Sequence, residues 1–191
     1  AVNPAIRTPN LNRLARRGLL FKRGYTVNPV CTPSRVSMLT GQYPSRHGCY
    51  HVGTSLPEDY APTVSRCLSD AGYFTALLGK AHFRPCLDPA SFEAAPHIHN
   101  RDFFRSWQGP YHGFERARLT IGHTCESHAC GMHYGVWLDD HGIDTVPYFG
   151  NRDYHSHGAW ELPEAFHGSR WVAEETLHAM DEARERNKPF F

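Results

Sequence analysis

Residues 72–82 read Gly-Tyr-Phe-Thr-Ala-Leu-Leu-Gly-Lys-Ala-His, and this stretch decides the fold class that the sequence indicates. Its core, residues 73–78, is a compact apolar and aromatic run of the kind that forms buried strands. A helix is predicted just before it, over residues 62–71, because apolar side chains recur there at helical spacing: Val64, Cys67, Leu68 and Ala71. The lysine and histidine follow the strand directly, at the end where ligand sites of open α/β sheets gather.

The residues upstream of this stretch predict further helices and a strand. Helices are expected over residues 8–18 and 32–41, since each has Thr-Pro at its start and Gly at its end. Residues 19–27 contain Leu, Phe, Tyr, Thr and Val and are predicted to form a strand between them. The order strand, helix, helix, strand predicts an α/β fold with a mostly parallel sheet flanked by helices.

The downstream half is less regular. Residues 84–163 lack periodicity and are rich in Gly, Pro, His, Trp and Tyr, so we expect a long irregular insert, either lining a substrate pocket or a plain excursion. Helical spacing returns after residue 169 in one apolar face: Trp171, Val172, Thr176, Ala179, Met180 and Ala183. Phe190-Phe191 resembles the start of another strand. We therefore expect residues 1–191 to be part of a single domain, incomplete at both ends.

Composition excludes several classes of partner. The 191 residues carry 20 Lys plus Arg against 19 Asp plus Glu, which gives no electrostatic reason to expect binding to nucleic acid. No apolar run approaches the ~20 residues that a membrane span needs. Six cysteines in a chain of this length do not indicate a disulfide scaffold, and Cys67 is expected to be a buried thiol.

The strongest chemical signal is the run Cys31-Thr32-Pro33-Ser34-Arg35, which continues to Leu39-Thr40-Gly41. Cys31 lies at the predicted start of a helix, where free N–H groups and the helix dipole favour an anion. Arg35 lies one turn further on, so its guanidinium can return toward the same place and bind an oxyanion. A cysteine in this position is expected to be reactive; alone, the pattern also fits a buried cysteine beside a helix start.

This run resembles the signature of the type I sulfatases, Cys-x-Pro-Ser-Arg-x-x-x-Leu-Thr-Gly, at every fixed position. Residues 72–82 resemble the second signature of that family, Gly-Tyr-x-Thr-x-x-x-Gly-Lys-x-His. The resemblance implies an α/β fold of the alkaline-phosphatase superfamily and hydrolysis of a sulfate ester through formylglycine made from Cys31. It implies that Arg35 holds the nucleophile and that Lys80 and His82 bind sulfate and assist the leaving group. If the chain is extended after the strand, Lys80 and His82 point the same way.

The resemblance also implies cofactors and partners. The family binds calcium, or another divalent metal such as magnesium, and formylglycine at position 31 would be one metal ligand. The Asp and Asn ligands are expected outside these 191 residues, so the isolated chain is expected to be inactive. The implied partners are a sulfate ester, with a sulfated glycan favoured by the aromatic and His-rich insert, and a formylglycine-generating enzyme. Export to the periplasm, the extracellular space or the lysosome is implied by the resemblance alone.

Two alternatives to a sulfatase remain open at this point. Relatives with the same Cys-x-Pro-Ser-Arg start cleave phosphorus esters, so a phosphonate or phosphate monoester hydrolase is one of them. A non-catalytic fragment is the other. Asp139-Asp140 could be considered as a metal site, but it follows Cys31 instead of preceding it and is predicted to be a solvated loop.

A second cluster of metal-type residues contains Cys125, His128, Cys130 and His133. Its spacing departs from the usual pairs of a structural zinc site. We therefore favour a role for His133 and its surroundings in lining the substrate pocket, where imidazole and aromatic groups suit a sugar or aryl ring. The pairs at His97 and His99 and at His155 and His157 are assigned either to this pocket or to the surface.

Overall fold

A computed structural model describes residues 3, 5–86, 88–94, 97–121, 130–149 and 160–191. Its helices are α1 (Pro9–Arg17), α2 (Cys31–Thr40), α3 (Pro44–His47), α4 (Val64–Asp70), α5 (Arg101–Ser106), α6 (Met132–Asp140), α7 (Val146–Phe149) and α8 (Gly168–Glu185). The strands are β1 (Ala76–Gly79) and β2 (Arg116–Leu119), and two short 3-10 helices span His97–His99 and Glu164–Phe166. Within these residues, no helix is both long enough and apolar enough to cross a membrane.

The sheet is parallel, as the sequence predicts. β1 pairs with β2 in a register that runs from Ala76 opposite Arg116 to Gly79 opposite Leu119. On the other edge, Phe74 forms a parallel bridge with Phe190. The peptide N–H of Phe191 donates to the Phe74 carbonyl at 2.9 Å, and the Ala76 N–H donates to the Phe191 carbonyl at 2.9 Å. The segment from Phe74 to Gly79 is therefore hydrogen-bonded along both edges.

Side chains of β1 alternate between two cores. Ala76 and Leu78 pack against the cluster formed by Phe74, Ala179 and Ala183, which lies under α8. Leu77 packs on the opposite side, against a larger cluster that includes Val36 and Leu39 of α2. Since successive side chains of a strand point to opposite faces, one short strand holds the two helices on either side of the sheet.

Helix α8 forms where the sequence predicts it, but its buried face differs from the predicted one. Trp171, Glu175, Ala179 and Ala183 are buried at four-residue spacing, whereas Thr176 and Met180 are exposed. The carboxylate of Glu175 accepts hydrogen bonds from Nε and Nη2 of Arg118 in β2, at 3.0 and 2.9 Å. A charged residue can take this inward position because its charge is paired with the sheet.

The expectation that residues 84–163 are irregular is wrong for much of their described part. They supply β2, α5 and α6, and their side chains build a large share of the main core: Ile98, Phe104, Tyr111, Phe114, Ala117, Leu119, Met132 and Val136. These elements are short, and β2 reads Arg-Ala-Arg-Leu, so local periodicity is too weak to reveal them. Contacts with other parts of the fold stabilise these elements, and such contacts cannot be read from the local sequence pattern.

Two further predictions are corrected by the structure. Residues 19–27 form no strand, and Leu19 and Phe21 are 88% and 80% exposed. A strand needs a neighbour to accept its backbone hydrogen bonds, and no described segment pairs with these residues. Cys67 is exposed instead of buried, because α4 packs through its polar side: buried Ser65 donates to the carbonyl of His112.

His133 is a structural residue of the core. Its side chain is buried between α6 and β2, and Nδ1 accepts the Leu119 N–H at 2.8 Å. With Nδ1 an acceptor, Nε2 carries the proton and donates to the Trp107 carbonyl at 2.8 Å. Burial lowers the pKa of His133 to about 4, so the neutral ring links β2 to the end of α5.

We expect the Glu175–Arg118 pair to stabilise the fold much more than its exposed neighbour. Glu175→Gln should lower the free energy of unfolding by about 2 kcal/mol, because the partly buried guanidinium of Arg118 loses its charged acceptor. Glu174→Gln is the matched control: Glu174 pairs with Arg170 within the same helix at the surface, and its loss should cost less than ~0.5 kcal/mol. Denaturant unfolding of both variants measures this, and equal losses would contradict the assignment.

Protonation of His133 should make stability depend on pH. Its pKa is about 4 in the folded chain against an ordinary 6.5, so within that window the unfolded chain binds a proton that the folded chain does not. The free energy of unfolding should therefore fall as pH drops from 6.5 toward 4, by up to about 1.4 kcal/mol per pH unit from this group. Denaturant unfolding at several pH values measures this: between pH 6.5 and 4 the free energy of unfolding should change less with pH in His133→Gln than in the unmodified protein. The same pH dependence in both proteins would contradict the role of His133.

Candidate active site

Cys31 is the first residue of α2, and its side chain is exposed to solvent. The opposite side of the helix is anchored in the protein by buried residues: Thr32, Pro33, Val36, Ser37 and Leu39. Asn28 supports the preceding turn, since its side-chain oxygen accepts the Val30 N–H at 2.8 Å. The helix is thus held by packing while its first turn remains accessible.

Lys80 and Arg35 lie beside Cys31. The Nζ atom of Lys80 is 4.0 Å from the Sγ atom of Cys31. Nη1 of Arg35 donates to the backbone carbonyl of Lys80 at 2.8 Å, which ties α2 to the residue that follows β1. Lys80 follows the strand immediately, so the sheet fixes its backbone. The hydrogen bond from Arg35 then fixes α2, which carries Cys31, relative to Lys80.

These three residues line one cavity of about 490 Å³. The rest of the wall is mainly apolar: Pro29, Val30, Met38, Leu39, Val64, Leu77, Phe83, Phe114 and Phe191. An ammonium and a guanidinium at one wall favour an anionic group there, and the apolar walls suit the ring or chain attached to it. The geometry fits a small anionic ester with its charged end near Cys31.

His82 is placed differently from its predicted position. Its backbone has φ 60°, in the left-handed region, so the chain is not extended at His82, which was the condition for Lys80 and His82 to point the same way. His82 is 5% exposed and is not part of the cavity wall, and its Nε2 atom lies 2.7 Å from Sγ of Cys86. Burial raises the pKa of the Cys86 thiol to about 11. In the chain, His82 lies between Lys80 and Phe83, and both of these residues line the cavity.

Glu93 lies behind His82, and the sequence analysis missed it. Glu93 is 1% exposed, and its carboxylate accepts the backbone N–H groups of His82 at 2.7 Å and of Phe83 at 3.3 Å. The hydroxyl of Tyr111 donates to the same carboxylate. Burial raises the pKa of Glu93, and these hydrogen bonds act against that shift. The sole signal in the sequence is a glutamate in the apolar stretch Phe92-Glu93-Ala94, whereas its partners come from distant positions.

The other candidate residues do not join this site. His133 is buried in the core with both ring nitrogens bound to backbone groups, so it neither lines the cavity nor has a nitrogen available for a metal. Cys125, His128, His155 and His157 lie outside the described residues. His97 and His99 are exposed on a short 3-10 helix. Asp139 and Asp140 end α6 instead of forming a loop, and pair with Arg101 and Arg105 at 2.7 and 2.6 Å.

The described residues do not by themselves fit a divalent metal. Calcium and magnesium require several oxygen ligands. The described residues that line the cavity include no carboxylate, and two of them are cationic. Across the described part of the chain, no group of three or more His, Cys, Asp or Glu side chains is arranged to hold a metal ion. No chemical step can therefore be derived through a metal from these residues.

Comparison with known proteins agrees with this geometry. The sulfatase family model matches residues 2–116. The chain is 29% identical over 194 residues to an arylsulfatase of Clostridium perfringens, covering 99% of the chain and 37% of that protein. It is 37% identical over 100 residues to human N-acetylgalactosamine-6-sulfatase (45% of the chain, 19% of the relative) and 42% identical over 78 residues to a choline-sulfatase of Rhizobium meliloti (41% and 15%).

The fold is similar to that of a solved phosphonate monoester hydrolase of Agrobacterium radiobacter, with a TM-score of 0.66 and 22% identity over 98% of this chain and 35% of that one. The chain spans well under half the length of each of these proteins. Because the family match extends over more than half of the chain, and the fold agrees with it, the chain belongs to the sulfatase family.

Proposed function

We propose that residues 1–191 form part of a single catalytic domain that hydrolyses sulfate monoesters with Cys31 as the precursor of the nucleophile. The observation that carries this proposal is the convergence of Cys31, Arg35 and Lys80 on one cavity with apolar walls. The sulfatase relatives support the sulfate ester as substrate class. The phosphonate hydrolase supports the fold alone, and phosphorus esters are the alternative substrates that an activity panel would detect.

Modification of Cys31 to formylglycine is the second part of the proposal. Once hydrated, formylglycine at position 31 would supply the oxygen nucleophile for attack on sulfur, with the ester oxygen as leaving group. Two observations support the modification: the motif from Cys31 to Gly41 and the exposure of Cys31, which leaves it within reach of a formylglycine-generating enzyme. Calcium, or another divalent metal such as magnesium, is proposed from the family resemblance, with Asp and Asn ligands that are not among the described residues.

The positions of Lys80, Arg35 and His82 support the roles that we propose for them. Lys80 Nζ, 4.0 Å from Cys31 Sγ, lies where it can meet the sulfate oxygens and balance charge that develops on them. Arg35 adds positive charge to the same wall and holds Lys80 through its carbonyl. We propose that His82 protonates the leaving-group oxygen, for which its ring must turn from Cys86 toward the cavity.

The residues of the cavity wall also indicate what kind of substrate the site accepts. The aromatic residues of the insert that favoured a glycan pack mainly on one another: Phe92, Phe103, Trp107 and Tyr111 form a chain of ring contacts 5.0–5.8 Å apart between centroids. The cavity itself presents Phe83, Phe114 and Phe191. We therefore propose an ester whose leaving group carries an apolar or ring surface, and sulfated glycans belong in the panel as one such class.

Replacement of Cys31 tests the nucleophile. In full-length protein produced together with a formylglycine-generating enzyme, Cys31→Ala should abolish turnover of every ester in a panel of sulfates and phosphates. Cys67→Ala is the matched control, because Cys67 is an exposed cysteine on α4 outside the cavity, and activity should be retained. Mass spectrometry should find the peptide with Cys31 in its lighter, aldehyde form. An active preparation with only unmodified thiol would overturn the formylglycine assignment.

The proposed roles of Lys80 and His82 can be distinguished by comparing esters with different leaving groups. Lys80→Ala and His82→Ala in the full-length enzyme should each lower kcat by roughly two to four orders of magnitude. The His82→Ala defect should shrink with an activated aryl sulfate, whose leaving group needs little protonation, whereas the Lys80→Ala defect should persist because the sulfate charge is unchanged.

His178→Ala, on an exposed position of α8, is the control and should leave kcat unchanged. Equal defects of His82→Ala with both esters would exclude the acid role. Unchanged kcat in both Lys80→Ala and His82→Ala would show that residues 72–82 are not part of the active site.

A further inference from the structure

The chain turns sharply between β1 and the residues that follow it. Gly79 has φ 106° and His82 has φ 60°, so both adopt conformations that L side chains rarely take. Glycine does so at little cost, whereas the Cβ atom of a histidine makes the left-handed region unfavourable. The surrounding structure must therefore stabilise the backbone at His82.

Glu93 provides this stabilisation. Its carboxylate accepts the N–H groups of His82 and Phe83. Successive N–H groups that converge on one acceptor form a concave anion site, which is filled here by a side chain of the same protein. The turn and the carboxylate depend on each other, because a carboxylate buried to 1% exposure is costly without such donors.

Tyr111 orients the carboxylate from the other side. Its hydroxyl donates to Oε1 of Glu93, the same oxygen that accepts the Phe83 N–H, while Oε2 accepts the His82 N–H. Tyr111 is itself buried and packs against Phe83 and Phe92, with ring centroids 6.0 and 5.3 Å away. Both carboxylate oxygens are thereby held in place, and with them the backbone from which the His82 ring projects.

We propose that Glu93, oriented by Tyr111, is a positioning residue that fixes the backbone at His82, and so the point from which the His82 ring can turn between Cys86 and the cavity. This proposal rests on the proposed function, in which His82 serves the leaving group. Glu93 touches neither the cavity nor Cys31, so it acts through His82 and is not itself a catalytic residue.

A double-mutant comparison in the full-length enzyme tests the proposal. Glu93→Gln keeps the shape but replaces one acceptor oxygen with a donor group, so it should lower kcat for an unactivated sulfate ester by roughly 10- to 100-fold, the range found for groups that orient active-site residues. The defect should shrink with an activated aryl sulfate, as for His82→Ala. In a His82→Ala background, Glu93→Gln should cost less than roughly 3-fold, because the residue on which it acts is gone.

Two further variants separate positioning from stability. Glu175→Gln removes a buried carboxylate far along the chain; it should lower stability but slow both esters by the same small factor. Tyr111→Phe leaves the backbone donors to Glu93 in place and should cause a smaller defect with the same dependence on leaving group. Tyr111→Phe also provides the test if Glu93→Gln does not fold.

The outcomes distinguish the proposal from the function on which it rests. If Glu93→Gln slows both esters equally and costs as much in the His82→Ala background, Glu93 is merely structural and the inference is overturned. If His82→Ala shows no dependence on leaving group, the acid role of His82 fails. The double-mutant comparison then still decides whether Glu93 acts through His82, because it needs no assumption about what His82 does.

Discussion

Hydrogen bonding along both edges of the segment from Phe74 to Gly79 is the constraint on which the rest of the described structure depends. One edge pairs with β2 and the other with residues 189–191. The side chains of this segment pack against α8 on one face and against the core that contains α2 on the other. At the carboxyl end of the strand, the side chain of Lys80 therefore extends to the start of α2.

The site uses this scaffold through one contact with the backbone. Arg35 extends from α2 to the carbonyl of Lys80, so the distance between Cys31 and Lys80 depends on the sheet and not on a flexible loop. The arginine therefore has a structural and an electrostatic effect at once: it fixes the lysine and adds charge to the same wall. Removing it would disturb the position of Lys80 as well as the field in the cavity.

Buried carboxylates stabilise this arrangement in two ways. Glu175 is paired with the guanidinium of Arg118, which joins α8 to β2 by charge. Glu93 is held by backbone N–H groups and a tyrosine hydroxyl, which join the turn at His82 to the aromatic part of the core. Glu175 thus connects a helix to a strand, whereas Glu93 fixes a turn that has no hydrogen bonds of a helix or a sheet to stabilise it.

The sequence by itself determined the family resemblance, the parallel α/β class, the position of α2 and the residues Cys31, Arg35 and Lys80, because these depend on local motifs and on a strand with a strong apolar pattern. Only the tertiary structure decided where Glu93, Tyr111 and Cys86 lie, that His133 belongs to the core, and that residues 19–27 do not form a strand. It also decided that the backbone at His82 is left-handed and that its ring lies beside Cys86. These features depend on hydrogen bonds between residues far apart in the chain, such as Glu93 with Tyr111, and on whether a neighbour is present to pair with a strand. Local periodicity carries no information about either.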